Sequence, residues 1–494
     1  MNSKNKIKTI LTKEGYLLKK ECFKASDLEL IKKELKVKPS NTFLIGKRNM
    51  AKQLDDLTFE VFRENDEYLS VPKFYGINKL GDPDKNDEIL GDNINISFNG
   101  SLRPNQMNIV SETMEHMLKN DGGGICVGCG SGKTVMAIYI AHMLKLKTLV
   151  IVHKSFLLNQ WKERFEQFSD ARIGIIQQDK VETEDKDIVI GMLQSIAKEK
   201  YDFGIFREFG LVIFDEAHHA PSKFFSKALP IISCKKTLFL TATPNRSDGL
   251  EKVLYWYFGD IIYKSPPEQN NNVLVKIMKY NITHNKFREA FLPFTGEINR
   301  PKTLTRIVKI SKRNKFIIRC VKEILYEPGR KILILSDRIE HLEKLKEYLD
   351  KAEINCDYYI GGMKQAKLDI AKEATVILAS YGMAAEALDI PTLNSLIMAT
   401  PRRSIEQSVG RILRSKNNLV QPLIIDIVDQ LPSMDRQGLH RRKFYKKLKY
   451  QIKLIDVEEN EIIAEEDITN SKQSESDKES DIDWQSNQAD FIDD

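Results

Sequence analysis

The segment GGGICVGCGSGKT, residues 122–134, decides the fold of this chain, and a helix-forming stretch, VMAIYIAHML, follows it. Glycines let backbone N–H groups turn toward phosphate oxygens, and the N-terminal end of the following helix adds positive potential. Lys133 is expected to reach the β- and γ-phosphates of ATP, and the Thr134 hydroxyl to ligate Mg²⁺. Val127 stands where the strict pattern has glycine, yet the GSGKT core between a strand and a helix predicts nucleotide binding. The predicted loop residues are Gly128, Cys129, Gly130, Ser131, Gly132, Lys133 and Thr134.

Two carboxylates follow a second apolar strand, in LVIFDEAHHA, residues 211–220. Ligands of parallel sheets bind at the carboxyl ends of the strands, which is where this pair is expected. Asp215 is predicted to hold Mg²⁺ through water, and Glu216 to orient and deprotonate the attacking water. Adjacent histidines cannot both point into one site, so we interpret His218 as a coupling residue and His219 as a surface group.

Small hydroxyl residues end the next strand, in TATP, residues 241–244. Such residues can relay hydrogen bonds between a nucleotide site and a bound polymer. We therefore add Thr241 and Thr243 to the coupling group, although the segment taken alone indicates only a turn.

Short apolar runs alternate with helix-length segments along the chain. Continuous apolar runs are typical of strands buried on both faces of a parallel sheet that is covered by helices. One series comprises TLVIV (148–152), DIVIG (187–191), LVIFD (211–215) and TLFLT (237–241), and a second comprises VLVKIMKY (273–280), KILILS (331–336), TVILAS (375–380), SLIMAT (395–400) and PLIIDIV (422–428). The pattern predicts an α/β protein with two doubly wound parallel-sheet domains in tandem.

Length and charge divide the chain further. At about 150 residues per domain, 494 residues suggest three domains. We predict a small α+β N-terminal accessory domain (1–97), an ATP-binding domain (98–265), a second α/β domain (266–457) and a disordered acidic tail (458–494). The tail has fourteen acidic residues and two lysines, a net charge of −12. Because the whole chain has a net charge of +6, residues 1–457 carry +18. A body this basic favours nucleic acid as a partner, although a solvated lysine-rich surface explains the charge equally well.

Several classes of protein are excluded. No apolar run approaches the ~20 residues of a membrane helix, and residues 1–20 lack an apolar signal core. We therefore expect an intracellular, soluble protein with no membrane partner. The six cysteines are too scattered for a disulfide framework, and Cys126 and Cys129 lack a second pair that would complete a zinc site.

These motifs, in this order, resemble superfamily 2 helicases and translocases over residues 100–455, which implies two RecA-like domains. In the first half, LRPNQ (102–106) resembles the adenine-sensing segment, TLVIVHKSFLLNQW (148–161) motif Ia, DEAH the Asp box and TATP motif III. In the second half, ILILSDRIEHLEKL (332–345) resembles motif IV, YGMAAEALDIP (381–391) motif V and QSVGRILR (407–414) motif VI. The resemblance assigns Arg103 and Gln106 to nucleotide recognition and Asp389 to the ribose or the arginines.

The QxxGRxxR pattern supplies positive charge from outside the phosphate-binding domain. Arg411 and Arg414 are three residues apart, hence on one helix face, and their planar guanidinium groups suit phosphate oxygens. Gln407 lies one turn earlier and is expected to contact the γ-phosphate or water. The resemblance implies that closing a cleft between the two RecA-like domains assembles Lys133, Asp215, Glu216 and these three residues.

A nucleic-acid strand is expected to cross both domains. The candidate contacts are His153, Lys154, Gln194, Ser195 and Tyr381. Residues 436–453, RQGLHRRKFYKKLKYQIK, carry eight Lys or Arg and no acid, which suits phosphate pairing with aromatic stacking. A helix that packs its aromatic side chains on the domain and solvates its basic face is an equal alternative.

Within the superfamily, RPNQ, DEAHH and TATPNRSDGLEKVLYWYFG resemble the XPB-like branch and helicases of large cytoplasmic DNA viruses, such as the poxvirus transcript-release helicase. This resemblance implies 3′-to-5′ movement on DNA in viral transcription or genome processing, transcription proteins as partners, and the host cytoplasm or virion as location. The alternatives are an ATP-driven remodeller that does not separate strands, an RNA helicase, and a nucleic-acid-binding protein whose nucleotide site is inactive. Residues 1–97 could recognise distorted DNA or brace the first domain.

Overall fold

The computed structural model describes residues 7–39, 57–128, 130–242, 246, 248–266, 272–386, 388, 390–402, 405, 409 and 420–469. The chain divides into two compact units between Pro266 and Pro267. None of the described helices is long and apolar enough to cross a membrane.

The leading part of the first unit is a small α+β layer. Its largest sheet has the order β5-β6-β2-β1-β7, and β3 pairs with β4. The elements are β1 (Thr9–Thr12), β2 (Gly15–Lys19), α1 (Ala25–Leu35), β3 (Lys36–Val37), β4 (Phe59–Glu60), β5 (Arg63–Glu64), β6 (Tyr68–Val71), α2 (Lys73–Leu80) and β7 (Lys85–Asn86). Its buried residues, such as Leu18, Leu35 and Leu69, share one apolar cluster with Val212 and Phe214 of the larger sheet that follows. This layer therefore braces the first large sheet, as one of the two sequence alternatives proposed.

The rest of the first unit is an eight-stranded sheet of the order β11-β10-β12-β9-β13-β14-β8-β15. All neighbours pair in parallel except the short edge strand β11. The elements are α3 (Pro104–Asn120), β8 (Gly122–Cys126), α4 (Lys133–Leu144), β9 (Thr148–Val152), α5 (Ser155–Phe168), β10 (Ile173–Gln177), β11 (Lys180–Val181), β12 (Ile188–Met192), α6 (Leu193–Ile196), β13 (Leu211–Phe214), α7 (Leu229–Ile232), β14 (Lys236–Thr241), α8 (Glu251–Phe258) and β15 (Ile261–Lys264). Each apolar run predicted from the sequence is a strand buried along its whole length.

The glycine run at the start of β8 has a packing reason. A Cβ atom at Gly124 would lie 2.0 Å from the ring of Phe239 on the neighbouring strand β14. The ring takes the place of the missing side chain, so the strand that leads into the phosphate-binding loop lies close against its neighbour.

The second unit contains an eight-stranded sheet of the order β18-β19-β17-β20-β21-β16-β22-β23. All of its pairs are parallel except β22 with β23. The elements are β16 (Leu274–Asn281), α9 (Arg300–Ile307), α10 (Ser311–Leu325), β17 (Ile332–Ser336), α11 (Ile339–Lys351), β18 (Cys356–Tyr359), α12 (Gln365–Ala371), β19 (Val376–Ser380), α13 (Tyr381–Glu386), β20 (Ser395–Met398), β21 (Leu423–Asp429), α14 (Pro432–Lys447), β22 (Gln451–Glu458) and β23 (Glu461–Asp467). The predicted fold class, two helix-covered parallel sheets in tandem, is confirmed.

The first part of the predicted disordered tail is in fact a strand. Residues Glu461–Asp467 form β23, which pairs antiparallel with β22. All its residues are exposed, so its acidic side chains lie in water while its backbone completes the sheet. The prediction failed there because it weighed charge and ignored the Ile462–Ile463 pair in the strand. Residues 470–494 lie outside the described residues.

Candidate active site

Seven parallel strands of the first unit end at the same edge of the sheet, and five of them are followed by predicted site residues or their neighbours. In sheet order these five are β12, β9, β13, β14 and β8. Carboxyl ends of parallel strands form the crevice in which ligands of such sheets bind. The residues that follow these strands are, in the same order, Gln194 and Ser195, His153 and Lys154, Asp215 and Glu216, Ala242, and the phosphate-binding loop. The topology thus places most of the site residues predicted for this unit along one edge.

The phosphate-binding loop opens the helix Lys133–Leu144. Gly132 has φ +84°, and a Cβ atom there would lie 2.2 Å from Gln106 Nε2, so this position requires glycine. The Lys133 ammonium donates a hydrogen bond to the Val127 carbonyl at 3.2 Å. Val127 itself is buried, with its N–H bonded to the Thr241 carbonyl at 3.2 Å. This backbone bond connects the start of the loop to the neighbouring strand.

Arg103 and Gln106 form the start of the helix Pro104–Asn120. Gln106 accepts the Arg103 N–H at 2.9 Å and donates from Nε2 to the Ser131 carbonyl at 2.8 Å. The Arg103 guanidinium also donates to the Ser131 carbonyl, at 3.2 Å. Both side chains thus bond the backbone of the phosphate-binding loop. This adds a positioning function to the nucleotide-recognition role predicted for them.

The acidic pair lies at the end of β13 and is buried. Asp215 Oδ1 accepts the Glu216 N–H at 3.0 Å, and Glu216 has φ +47°, a left-handed conformation that is uncommon for this residue type. Burial and the neighbouring Glu216 carboxylate raise the pKa of Asp215, while the Lys133 ammonium acts in the opposite direction. Among the described residues, Glu216 Oε2 has no hydrogen-bond donor, and His218 Nδ1 lies 3.4 Å away.

Trp161 is a site residue that the sequence reasoning missed. Its indole N–H donates to Asp215 Oδ2 at 2.8 Å, and its ring is fully buried. The sequence places Trp161 on the apolar stripe of the helix Ser155–Phe168, together with Leu157 and Phe165, so periodicity indicates only packing. No pattern in the sequence shows where the indole N–H points.

The coupling residues form a short chain of contacts. His218 Nδ1 lies 3.3 Å from Thr241 Oγ1, and the Arg246 guanidinium donates to the His218 carbonyl. Thr241 also accepts the Val127 N–H through its carbonyl. The structure therefore brings His218 and Thr241 together between the acidic pair and the phosphate-binding loop.

His219 is half-buried and packs against two other imidazole rings, and its interpretation as a surface group with satisfied contacts stays a prediction. Its ring centroid lies 4.2 Å from that of His218 and 4.0 Å from that of His153. The three imidazoles connect the loop after β9 with the loop after β13.

Among the described residues of the second unit, two buried ion pairs involve carboxylates of the strand Leu423–Asp429. Arg313 donates to both carboxylate oxygens of Asp429, at 2.6 and 2.8 Å, and Arg441 does the same with Asp426, at 2.8 and 2.7 Å. All four side chains have no exposed surface. Tyr445, which is also fully buried, donates to Asp426 at 3.1 Å. Tyr445 is packed as one alternative for this helix proposed, whereas neither alternative predicted that Arg441 is buried.

Comparison with known proteins assigns the family. The profile described as "Type III restriction enzyme, res subunit" matches residues 99–246, and that described as "Helicase conserved C-terminal domain" matches residues 314–416. A candidate ATP-dependent RNA helicase of Acanthamoeba polyphaga mimivirus is 38% identical over 92% of this chain and 88% of its own length. The chain belongs to the superfamily 2 helicases. As a member of that superfamily, it is an ATP-dependent helicase.

Further relatives of this helicase come from other large DNA viruses. A candidate helicase of Invertebrate iridescent virus 6 is 28% identical over 72% of this chain and 83% of its own length. A candidate ATP-dependent RNA helicase of African swine fever virus is 26% identical over 65% of this chain and 68% of its own length. These matches extend the relationship beyond the two domain profiles.

Three of the five predicted strand contacts of the helicase are buried. The Tyr381 ring is 1% exposed and its hydroxyl donates to the Thr400 carbonyl at 2.6 Å, while Ser195 Oγ accepts the Gln178 N–H at 2.9 Å. His153 is 4% exposed and stacks on His219. These three side chains turn into the fold, and their contact with a nucleic-acid strand stays a prediction. Lys154 and Gln194 are half-buried, and their contacts stay predictions.

Six predicted site residues of the helicase lie outside the described residues. They are Cys129, Thr243, Asp389, Gln407, Arg411 and Arg414. Their roles stay predictions from the sequence.

The acidic pair suits a divalent cation. Two buried, adjacent carboxylates repel each other, and the Glu216 oxygen described above is buried without a donor among the described residues. A Mg²⁺ ion bound with ATP would supply the positive charge that this pair needs beyond that of Lys133. Asp215 and the Thr134 hydroxyl are the residues that fit this ligand role.

Proposed function

We propose that this helicase is a DNA motor that moves 3′ to 5′ along one strand and couples each ATP hydrolysis to a step. The resemblance of its motifs to the XPB-like branch supports DNA and this direction. Its relatives in large DNA viruses support work in viral transcription or genome processing, with transcription proteins as partners, in the host cytoplasm or in the virion.

One observation carries the proposal: the phosphate-binding loop, the acidic pair and the end of β14 form a single connected set. Lys133 bonds the Val127 carbonyl, Val127 bonds the Thr241 carbonyl, Thr241 contacts His218, and His218 approaches Glu216. A change at the γ-phosphate can therefore reach the loop after β14 through direct contacts.

The residues divide the chemical work. Lys133 holds the β- and γ-phosphates, and the loop N–H groups hold the remaining phosphate oxygens. Glu216 is the base that orients and deprotonates the attacking water, since it is buried beside Asp215 and its Oε2 accepts no hydrogen bond from the described residues. Gln407, Arg411 and Arg414 are proposed to add positive charge from the second domain as the two domains close.

The decisive experiment measures ATP turnover of the full chain with single-stranded and double-stranded DNA and RNA. We expect single-stranded DNA to stimulate turnover at least tenfold, and Lys133→Ala to abolish both basal and stimulated rates. Duplexes with a 3′ or a 5′ tail then test direction, and only the 3′-tailed duplex should be separated. Equal turnover with and without every polymer would refute the motor function.

An RNA track is the second candidate. The mimivirus and African swine fever virus relatives are both described as RNA helicases, which favours it. Superfamily 2 motors mostly contact phosphates and sugars, so the RNA arm of the same experiment decides between the tracks. Strong stimulation without strand separation would instead support a remodeller.

A further inference from the structure

A short hairpin projects from the second unit between β16 and the helix Arg300–Ile307. We call residues 290–299 the Phe294 hairpin. Phe291 pairs antiparallel with Ile298, and the turn is closed by hydrogen bonds from the Leu292 N–H to the Glu297 carbonyl at 2.8 Å and from the Gly296 N–H to the Leu292 carbonyl at 3.1 Å.

The base of the Phe294 hairpin is held firmly. The Ala290 side chain is buried, its N–H donates to Thr303 Oγ1 at 2.8 Å, and its carbonyl accepts the Asn299 N–H at 2.6 Å. The preceding Glu289 accepts the Ser433 N–H at 2.7 Å at the start of the helix Pro432–Lys447. The hairpin is therefore fixed to two helices at its base.

The tip of the hairpin exposes apolar side chains. Phe294 is 96% exposed, Phe291 56% and Leu292 38%, which makes Phe294 the most exposed large apolar residue in the described part of the chain. Exposing these side chains to water is unfavourable. Because the base of the hairpin is fixed, they become buried only when a partner covers the tip.

The charges that flank the hairpin in sequence indicate the chemistry of that partner, since the hairpin itself carries only Glu297. Residues 284–306 contain five Lys or Arg and two Glu, and Lys286, Arg288 and Lys302 are exposed. Glu289 already binds the Ser433 N–H, and Glu297 lies 3.4 Å from Thr295 Oγ1. An aromatic tip above a base flanked by basic residues suits nucleic-acid bases and phosphates.

We infer that Phe294 is a wedge that stacks on the exposed base pair where a duplex opens, while the basic residues that flank the base of the hairpin hold phosphates of the same duplex. Apolar side chains that enter between bases unstack them, and a fixed base allows the hairpin to transmit the force of the motor. This inference rests on the proposed function, since a wedge acts only if the protein moves along a strand.

The test compares Phe294→Ala with Tyr326→Ala in the full chain. Tyr326 is a matched control because it is an aromatic residue of the same unit that is 85% exposed. Forked DNA and RNA duplexes are used as substrates, and ATP turnover with single strands is measured in parallel. We expect Phe294→Ala to slow duplex separation by about tenfold or more, as loss of one stacking contact implies, and to change turnover less than about twofold. Phe294→Trp should restore separation, and Tyr326→Ala should resemble the parent.

A 2-aminopurine base at the fork gives an independent readout. Its fluorescence should fall when the parent binds and stay high with Phe294→Ala. Separation by Phe294→Ala at the parental rate would overturn the wedge and assign the tip to a protein partner. Equal losses of turnover and separation would also overturn it, because Phe294 would then act on the motor. Absence of polymer-stimulated turnover in the parent would refute the proposed function itself.

Discussion

The two large sheets have the same architecture but differ at their carboxyl edges. In the first unit this edge carries Lys133 and the acidic pair Asp215 and Glu216. Glu216 Oε2 accepts no hydrogen bond from the described residues. In the second unit the carboxylates of the strand Leu423–Asp429 lie in fully buried Arg–Asp pairs, each joined by two hydrogen bonds. Among the described residues, the first edge keeps a buried carboxylate oxygen open for a ligand, whereas the second unit pairs its buried Asp426 and Asp429 with arginines.

This difference suggests that the buried charges of the first unit serve ligand binding, whereas those of the second unit serve stability. A carboxylate pair without enough positive charge is costly in the empty state and is satisfied by what it binds. A bidentate Arg–Asp pair needs nothing more, but removal of one partner leaves a buried charge. Substitutions in the two units are therefore expected to affect different measurements.

The largest expected effect is on the stability of the second unit. Arg441→Met leaves Asp426 buried without its cation, which should lower the free energy of unfolding by about 3–5 kcal/mol. Urea denaturation measures the loss, and hydrogen exchange in the strand Leu423–Asp429 locates it. Arg436→Met, on the exposed face of the same helix, should cost less than about 0.5 kcal/mol. Equal losses in both variants would contradict the proposed importance of the pair.

The second effect is on catalysis in the first unit. Glu216→Gln keeps the shape of the side chain but removes the base, so ATP turnover should fall by about 10²–10⁴-fold. Affinity for a fluorescent ATP analogue and the urea midpoint should stay close to those of the parent. Glu112→Gln, on the exposed side of the helix Pro104–Asn120, is the control and should leave turnover unchanged. A Glu216→Gln variant with full turnover would exclude this residue as the base.

The third effect concerns the residue that positions Asp215. Trp161→Phe removes the indole N–H but keeps a buried ring, so the Mg²⁺ concentration needed for half-maximal ADP binding should rise about tenfold. Fluorescent ADP titrated at several Mg²⁺ concentrations measures this without turnover. Trp256→Phe is the control, since Trp256 packs on Tyr75 and Lys252. A shift of the same size in both variants would show a general loss of packing.

The smallest effect is a pH dependence of the second unit. Burial, with a contribution from Arg313, lowers the pKa of His341 well below that of a free histidine. The unfolded chain therefore binds a proton that the folded chain does not, and stability should fall as the pH drops below about 6.5, by at most ~1.4 kcal/mol per pH unit. His341→Gln should flatten this slope between pH 6.5 and 5, whereas His284→Gln, at an exposed site, should keep it. Urea midpoints at each pH are the measurement.

Much of the fold and part of the site could be predicted from the sequence. The strands could be predicted because both of their faces are buried, so TLVIV and PLIIDIV are almost wholly apolar, and the one charge, Asp426, is paired with Arg441. Lys133, Asp215 and Glu216 could be assigned because their chemistry depends on residue type and spacing. Their roles stay predictions, but the structure brings them to one sheet edge.

Side-chain direction could not be predicted from these patterns. Tyr381 and Ser195 directly follow strands, as Asp215 does, yet the first two turn into the core and hydrogen-bond there. The partner of the Trp161 N–H lies 54 residues away in sequence, so no local periodicity could reveal it. Strand β23 was missed because backbone pairing with β22 stabilises an acidic segment whose composition resembles that of the residues after it.

The shared core of the leading layer determines how the protein can be divided. A shortened chain that begins at residue 98 would retain every ATP-binding motif but would uncover the face of the sheet that Leu18, Leu35 and Leu69 now protect. It would also lose the bond from the Tyr257 hydroxyl to the Val61 carbonyl. Such a fragment should aggregate on expression. The smallest soluble ATPase fragment is therefore expected to include the leading layer, because its buried side chains form part of the same hydrophobic core.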